Sequence, residues 1–215
     1  MIIAIDGPSA SGKSTTARCI AEKLKILHID TGAMYRAITL ACIQNRVMHT
    51  DSDDLVSLIE NINISFDSNN QVCINKKNVE SLIRNQVVTS QVSNFSAVRI
   101  IREKMVDRQR QISKNNDCVI EGRDIGTVVF PNADFKFYLD ASAEIRASRR
   151  MTEFKNNGEI VVYDDVVRKI KERDHFDMNR KISPLTKAKE AIVIDTTDLD
   201  IKEQIKKIIS IVNNK

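Results

Sequence analysis

The 215-residue sequence has no tryptophan, only three prolines and six glycines, and aromatic residues at 5%. So little Gly and Pro excludes collagen-like and low-complexity disordered chains, while hydrophobic residues at 42% suffice for a packed core. No apolar run approaches the roughly 20 residues of a membrane-spanning helix. Met1-Ile2-Ile3-Ala4-Ile5-Asp6 has neither a basic n-region nor a small-residue cleavage site. A signal peptide is therefore not expected, and the cytoplasm is the expected location. No block of like charge forms an arm or tail, and a net charge of +4 is too mild to argue for a nucleic acid or a membrane as partner. Cys19, Cys42, Cys73 and Cys118 have neither metal-ligand nor Cys-x-x-Cys spacing and sit among apolar residues, so buried, reduced thiols are expected. His28, His49 and His175 form no cluster that would hold zinc.

What is present is an alternation of short apolar runs with helical patterns. Residues 2–6, 27–29, 118–120, 135–139 and 191–194 read as buried strands. Helical spacing follows Lys13, covers 34–43, 98–112 and 164–179, and returns in the closing stretch with Ile201, Ile205, Ile208, Ile209 and Val212. Ser52-Asp53-Asp54 caps a further helix, and Ser142 precedes one expected to run through Arg150 to a break at Asn156-Asn157-Gly158. Residues 62–80 break this texture with short alternating runs and turn clusters, which reads as an inserted antiparallel meander. The pattern predicts an α/β fold with a five-stranded, parallel sheet flanked by helices. Ligands in such sheets bind beyond the carboxyl ends of the strands, so the loops after Asp6, Ile29, Ile120 and Ile194 are expected to converge on one site.

Gly7-Pro8-Ser9-Ala10-Ser11-Gly12-Lys13-Ser14 matches G-x-x-x-x-G-K-[ST], with a strand before it and an amphipathic helix after it. Small residues let backbone N–H groups curl round a phosphate, and the helix N-terminus adds unpaired donors. Lys13 can reach the β- and γ-phosphates of a nucleotide, Ser14 can ligate Mg²⁺, and Thr15 can donate to an outer phosphate oxygen. This is the signature of a P-loop NTPase fold. It specifies the phosphoryl donor and says nothing about the acceptor.

Two further strand ends carry arginines, in Asp30-Thr31-Gly32-Ala33-Met34-Tyr35-Arg36 and in Glu121-Gly122-Arg123-Asp124-Ile125-Gly126-Thr127. Arginine's planar fork suits phosphate oxygens. A lone Arg36 would be an ordinary solvated side chain, but two arginines at equivalent strand ends point to a second phosphate site. In a helix over 170–180, Arg173, Asp177 and Arg180 share one face. Arg146, Arg149 and Arg150 precede the break, where a lid over a triphosphate would need positive charge.

These residues reach a known family. The chain resembles bacterial cytidylate kinase over essentially its whole length, through GPSASGKST, DTGAMYRA at 30–37, EGRDIGTVVFPNADFKFYLDAS at 121–142, IKERDHFDMNR at 170–180 with the S-P-L that follows, and IDTT at 194–197. The resemblance implies one domain over 1–215, with its core at about 1–61, 94–150 and 181–215, an acceptor-binding insertion at about 62–93 and a lid with its following helix at about 151–180. It implies ATP and Mg²⁺ as donor and cofactor, CMP or dCMP as acceptor, no nucleic-acid or membrane partner, and a monomer. By resemblance Arg36, Arg123 and Arg173 hold the acceptor's phosphate, with Thr31 near the nucleotide. Ser93, Arg102 and Asp124 read cytosine, helped by Arg180, and Asp177 contacts the sugar. Arg146, Arg149 and Arg150 belong to the lid, and Thr196 or Thr197 lines the adenine side. Lys13, Arg123 and Arg173 are the expected catalytic residues. The sequence departs from the family at Glu121, where an aspartate is usual, and lacks the proline usual in the 92–106 stretch. Two alternatives stand beside this reading: a P-loop kinase with another acceptor, such as shikimate or dephospho-coenzyme A, and a nucleotide-binding regulatory module.

Overall fold

A computed structural model describes residues 1–50, 52–156 and 158–214. The chain divides into two compact units, one made of Met1–Leu27 with Asp117–Lys215, the other of His28–Asn116. Among the described residues no helix is long and apolar enough to cross a membrane.

Five strands, β1 (Ile2–Asp6), β2 (Leu27–Asp30), β6 (Cys118–Gly122), β7 (Phe135–Asp140) and β8 (Ile192–Asp195), form one sheet in the order β2-β6-β1-β7-β8. The β1/β6, β1/β7 and β7/β8 pairs are parallel. The expected five-stranded α/β fold is therefore present. Ile3, Ile5, Val119, Phe137, Leu139 and Ile194 from these strands pack with Ala17 and Ile20 of α1 (Lys13–Leu24) and Ile205 and Ile208 of α8 (Ile201–Asn213). Each fully buried isoleucine of this layer contributes roughly 1.5–3 kcal/mol. α1 ends in a Schellman turn: Lys25 is left-handed at φ 56°, and the N–H of Ile26 donates to Ala21 O at 3.0 Å. α8 opens on a reciprocal cap between Asp200 and Glu203.

In the same unit, α6 (Ala143–Asn156) runs through Arg150 to the expected break. Met151 and Phe154 carry it that far, because they pack against Ala147, Val166 and Ile170 and join α6 to α7 (Tyr163–Asn179). Of the expected break at 156–158, Asn157 lies outside the described residues. Arg180 falls one residue beyond α7 in extended backbone, φ −62° and ψ 143°, so it is not on the helix as expected. A short π-helix, Ile125–Val129, follows β6 and has no signature that the sequence reading used.

The other unit contains α2 (Thr31–Gln44), α3 (Asp53–Asn61), the three-stranded antiparallel meander β3 (Ile64–Phe66), β4 (Val72–Ile74) and β5 (Lys77–Asn78), then α4 (Gln86–Ser96) and α5 (Arg99–Ser113). α2 begins at Thr31 and not at 34, because the Asp30 carboxylate caps it by accepting from Ala33 N at 2.9 Å. In the meander, Asn75 and Lys76 are both left-handed (φ 49° and 68°) and make the two-residue turn between Ile74 and Lys77. The third strand therefore starts inside the expected turn cluster. α4 occupies a stretch for which no element was expected. Met34, Ile38, Leu55, Ile59, Ile64, Ile83, Phe95 and Ile101 are buried in this unit. Cys42, Cys73 and Cys118 are buried as expected, whereas Cys19 is only partly so.

Candidate active site

The phosphate loop leaves β1 at Gly7, and this position cannot carry a side chain, since a Cβ there would lie 2.1 Å from the carbonyl oxygen of Leu139. Ala10 (φ 60°) and Gly12 (φ 91°) turn the chain so that α1 starts without a side-chain cap and without an acidic residue in its first turn. The N–H groups of that turn and the positive end of the helix dipole are thus left for an anion. Ser14 and Thr15 stand exposed at the opening, while Lys13 is buried.

Lys13 Nζ donates to Pro8 O at 2.6 Å and lies 3.4 Å from Ser11 Oγ. Its pKa is lowered to about 7, first by burial and then by Arg123, with Arg173 pushing the same way and Glu121 and Asp6 opposing. Of the three expected catalytic residues, Arg123 and Arg173 are thus the cations whose charge is felt at Lys13. Ser14 Oγ donates to Glu121 Oε2 at 2.7 Å. The longer carboxylate at 121 thus reaches the P-loop serine from the end of β6, a role the sequence reading left unassigned.

Arg123 Nε donates to Asp177 Oδ2 at 2.9 Å. Arg180 lies 3.8 Å from both Asp124 Oδ1 and Asp177 Oδ1 and donates from Nε to Ser183 O at 2.7 Å. Although Arg180 has left the helix, its side chain returns to the face that carries Asp177. Burial alone would raise the Asp177 carboxyl, but Arg123, Arg173 and Arg180 outweigh it and hold this group below the usual carboxylate range. Asp124, Asp177 and Arg180 are all buried, so the cluster is a fixed polar wall and not a surface ion-pair ladder.

The expected lid arginines divide. Arg146 is buried and fully engaged: Nε donates to Ala141 O at 2.9 Å, Nη1 to the phosphate-loop carbonyl of Ser9 at 3.1 Å, and Nη2 to Asp174 Oδ2 at 2.6 Å. Arg149 donates to Thr196 Oγ1 at 3.1 Å and also to Thr196 O. Arg150 lies on the surface of α6, 2.5 Å from Glu153 and over the Phe154 ring at 5.0 Å. Thr196 is buried, and its hydroxyl reaches Ser11 O at 3.2 Å and Asp140 O at 2.9 Å, beside the phosphate loop. The loops after β1, β6 and β8 therefore do converge within this unit. Because the Arg146–Asp174 pair is desolvated, Arg146→Met is expected to lower stability by about 3 kcal/mol, read as a fall in denaturation midpoint at unchanged m-value. The same loss in an Arg150→Met control would contradict this.

In the other unit, Thr31 is buried at the start of α2 and Arg36 follows one turn later, its Nη1 3.3 Å from Gly32 O. A Cβ at Gly32 would lie 3.3 Å from that nitrogen and 3.0 Å from Asp30 Oδ1. Asp30 also receives Arg84 Nη2 at 3.3 Å. Burial would raise the Asp30 carboxyl, yet Arg84, the Ala33 N–H and Arg36 together hold it low. Arg102 is buried in α5, donating to Ser96 O at 3.1 Å and lying 5.3 Å from the centre of the Tyr35 ring. Ser96 Oγ in turn donates to the carbonyl of Ser93 at 3.0 Å, which joins the two expected base readers. Asp6, Asp174, Tyr35 and Arg84 were not singled out from sequence. Asp6, a charge ending an apolar strand just before Gly7, was the one with a local signal.

Comparison with known proteins fits this geometry. The family model described as cytidylate kinase matches residues 3–214. A cytidylate kinase of Clostridium botulinum (strain Hall) is 47% identical over 210 residues, covering 98% of this chain and 96% of the relative. One of Clostridioides difficile (strain 630) is 40% identical over 213 residues, covering 99% and 98%. Among solved structures, a shikimate kinase from Bacteroides thetaiotaomicron superposes with a TM-score of 0.51 over 99% of this chain and 98% of its own, at 11% identity, a likeness of fold alone. With a family match spanning nearly every residue and relatives this similar along their full lengths, the chain belongs to the cytidylate kinase family.

Proposed function

We propose that this protein transfers the γ-phosphate of ATP to CMP or dCMP, giving CDP or dCDP, as part of pyrimidine nucleotide metabolism. The observation that carries the reading within the molecule is an uncapped helix N-terminus with Lys13 buried at its start, the Ser14 hydroxyl on Glu121 and Arg123, at the end of the neighbouring strand, held by Asp177. A buried lysine and two partly exposed arginines together suit a polyanionic ligand.

Phosphoryl transfer asks mainly for positioning and charge neutralisation. The phosphate loop, Lys13 and Thr15 would hold the donor's β- and γ-phosphates, with Arg146, Arg149 and Arg150 on the donor side. Arg146 acts there partly through the loop, since it grips the carbonyl of Ser9. The Ser14 hydroxyl and Glu121 carboxylate form a pair of hard oxygen donors that suits Mg²⁺, and these residues would hold it. Bound Mg²⁺ supplies charge neutralisation on the phosphate oxygens. Arg36, Arg123 and Arg173 would neutralise the acceptor's phosphate, with Thr31 nearby, so that an oxygen already ionised near neutral pH attacks without a general base. Asp177 would meet the sugar. Ser93, Arg102 and Asp124, with Arg180 behind Asp124, would read the cytosine edge, the carboxylate taking the exocyclic amine and the guanidinium facing N3 and O2. Closure of the lid would exclude water as a competing acceptor. The protein is expected to act in the cytoplasm as a monomer.

Incubation with ATP, Mg²⁺ and CMP, followed by phosphorus NMR, should show CDP and ADP rising in equal amounts. ADP with inorganic phosphate, and no CDP, would defeat the reading. Base recognition has its own test. Asp124→Asn is expected to lower kcat/KM for CMP about 100-fold and for UMP less than about 10-fold, because only cytosine offers the amine. Equal losses would remove Asp124 from base reading.

A further inference from the structure

Asp6 is the last residue of β1 and immediately precedes the phosphate loop, yet none of the roles above uses it. It is 3% exposed. Both carboxylate oxygens are engaged with backbone: Oδ1 accepts from the N–H of Ile125 and Oδ2 from that of Gly126, each at 2.8 Å. Those N–H groups open the π-helix that follows Arg123-Asp124, and Asp124 itself supplies no side-chain cap. The first N–H groups of a helical turn lack partners within it, so Asp6 performs that capping from 119 residues away in sequence. Gly126 packs directly on this carboxylate, since a Cβ there would lie 3.4 Å from Asp6 Oδ2 and Ala188 Cβ and 3.3 Å from Lys136 Cδ. π-helical turns recur at functional sites, and this one directly follows the residues read as acceptor contacts.

We infer that Asp6 is a positioning residue, whose two-oxygen grip on Ile125 and Gly126 fixes Arg123 and Asp124 relative to the phosphate loop and so sets the spacing between donor and acceptor. The inference rests on the reading of Arg123 and Asp124 as acceptor contacts. Burial raises the Asp6 carboxyl to about 6, against the pull of the two N–H groups; among the groups that face it Asp124 raises it and Lys13 lowers it, and the Tyr138 phenol, paired with Asp6 across β7, is itself raised in part by Asp6. A proton on Asp6 puts an O–H where an N–H needs an acceptor. The grip therefore loosens as pH falls through about 6.

The test is Asp6→Asn, which keeps shape but offers one acceptor oxygen in place of two. The expected result is an acceptor KM raised about 10-fold with a lower kcat, while the Kd for ADP, measured by calorimetry without acceptor, stays within about twofold. Backbone amides 125 and 126 should exchange hydrogen faster than in the parent. The acceptor's own phosphate titrates near pH 6 in both proteins, so the ratio of their acceptor KM values against pH isolates Asp6. That ratio should shrink as pH falls below about 6, where the parent also loses its grip. An unchanged acceptor KM, or equal weakening of acceptor and ADP, overturns the inference, since equal weakening is what mere loss of folded protein gives. Should Asp6→Asn not fold, Asp6→Glu keeps two acceptor oxygens but displaces them by one methylene from the amides of 125 and 126, and it must produce the same split, or the inference fails. If the parent enzyme phosphorylates no CMP, the functional reading falls by itself. Unaltered exchange at 125 and 126 would overturn the tether independently of activity.

Discussion

Replacing Lys13 by methionine is expected to lower kcat/KM by about three orders of magnitude without destabilising the protein. Methionine keeps the unbranched apolar stem and removes the charge. In the reaction that charge would face the β- and γ-phosphates of the donor, in a site that closure of the lid would shield from water. A cation there acts on charge that moves during transfer, where electrostatic stabilisation is largest. In the free protein the same charge is a burden: Lys13 is buried, and Arg123 and Arg173 repel it.

The sign of the stability effect follows from linkage. The folded-state pKa of Lys13 is lowered to about 7 from 10.5, so between these values the unfolded chain binds more protons than the folded one. Stability contributed through this group rises with pH across that window. Below about 7 the cost of the buried charge is fully present, and it is relieved as pH climbs toward 10.5. Urea unfolding without nucleotide or Mg²⁺ should therefore find Lys13→Met more stable than the parent at pH 6 to 7, with the gap closing at higher pH. A variant that lost stability at pH 6, or kept kcat/KM within tenfold, would contradict this account of the loop.

Arg123→Ala is the second large effect, with an expected loss of about 10³-fold in kcat/KM for CMP and little change in the KM for ATP. Arg123 would carry two duties: its Nε holds Asp177 Oδ2 and its Nη1 reaches Gly122 O at 3.4 Å, while the fork would also face the acceptor's phosphate. Removing it leaves the Asp177 carboxylate buried, with Arg173 and Arg180 as its remaining cations. Because those two remain, the stability cost is expected near 1–3 kcal/mol and not at the upper end for a broken buried pair. The lowered Asp177 pKa contributes stability above the unfolded carboxylate pKa, and this is lost as pH falls through the folded value. Arg123→Ala should shrink that contribution, so its deficit against the parent is largest near neutral pH and narrows in acid. Arg123→Lys separates the duties: a point charge can still face Asp177 but cannot form the planar fork, so stability should recover more than rate. Full recovery of rate with lysine would show that charge alone, and not fork geometry, holds the acceptor.

What the sequence reveals about this molecule and what it hides divide along one physical line. The phosphate loop is legible because its chemistry is local: Gly7 must lack a Cβ, Lys13 and Ser14 must open a helix, and all of this lies within eight residues. The five parallel strands are legible because buried strands read as continuous apolar runs. The helix at Gln86–Ser96 is hidden because valine, threonine, serine and glutamine give weak propensity and a shallow apolar stripe, although its Asn85 cap was available as a signal. The packing of α6 on α7 is hidden because Met151 and Phe154 gain their burial from α7, a tertiary contact. The site's wiring is hidden for the same reason. Ser14 meets Glu121 across 107 residues, Arg123 meets Asp177 across 54, and nothing in the spacing of either pair marks the partner. Family resemblance supplies the names of the arginines, and the structure supplies what holds them still.

The most direct measurement is initial rates with ATP and Mg²⁺ across CMP, dCMP, UMP, AMP and shikimate at equal concentration. CMP and dCMP should be phosphorylated at least about 100-fold faster than AMP or shikimate, as expected of a site built to pair with the cytosine edge. Faster turnover of AMP or shikimate, or ATP hydrolysis without any phosphorylated acceptor, would contradict the assignment.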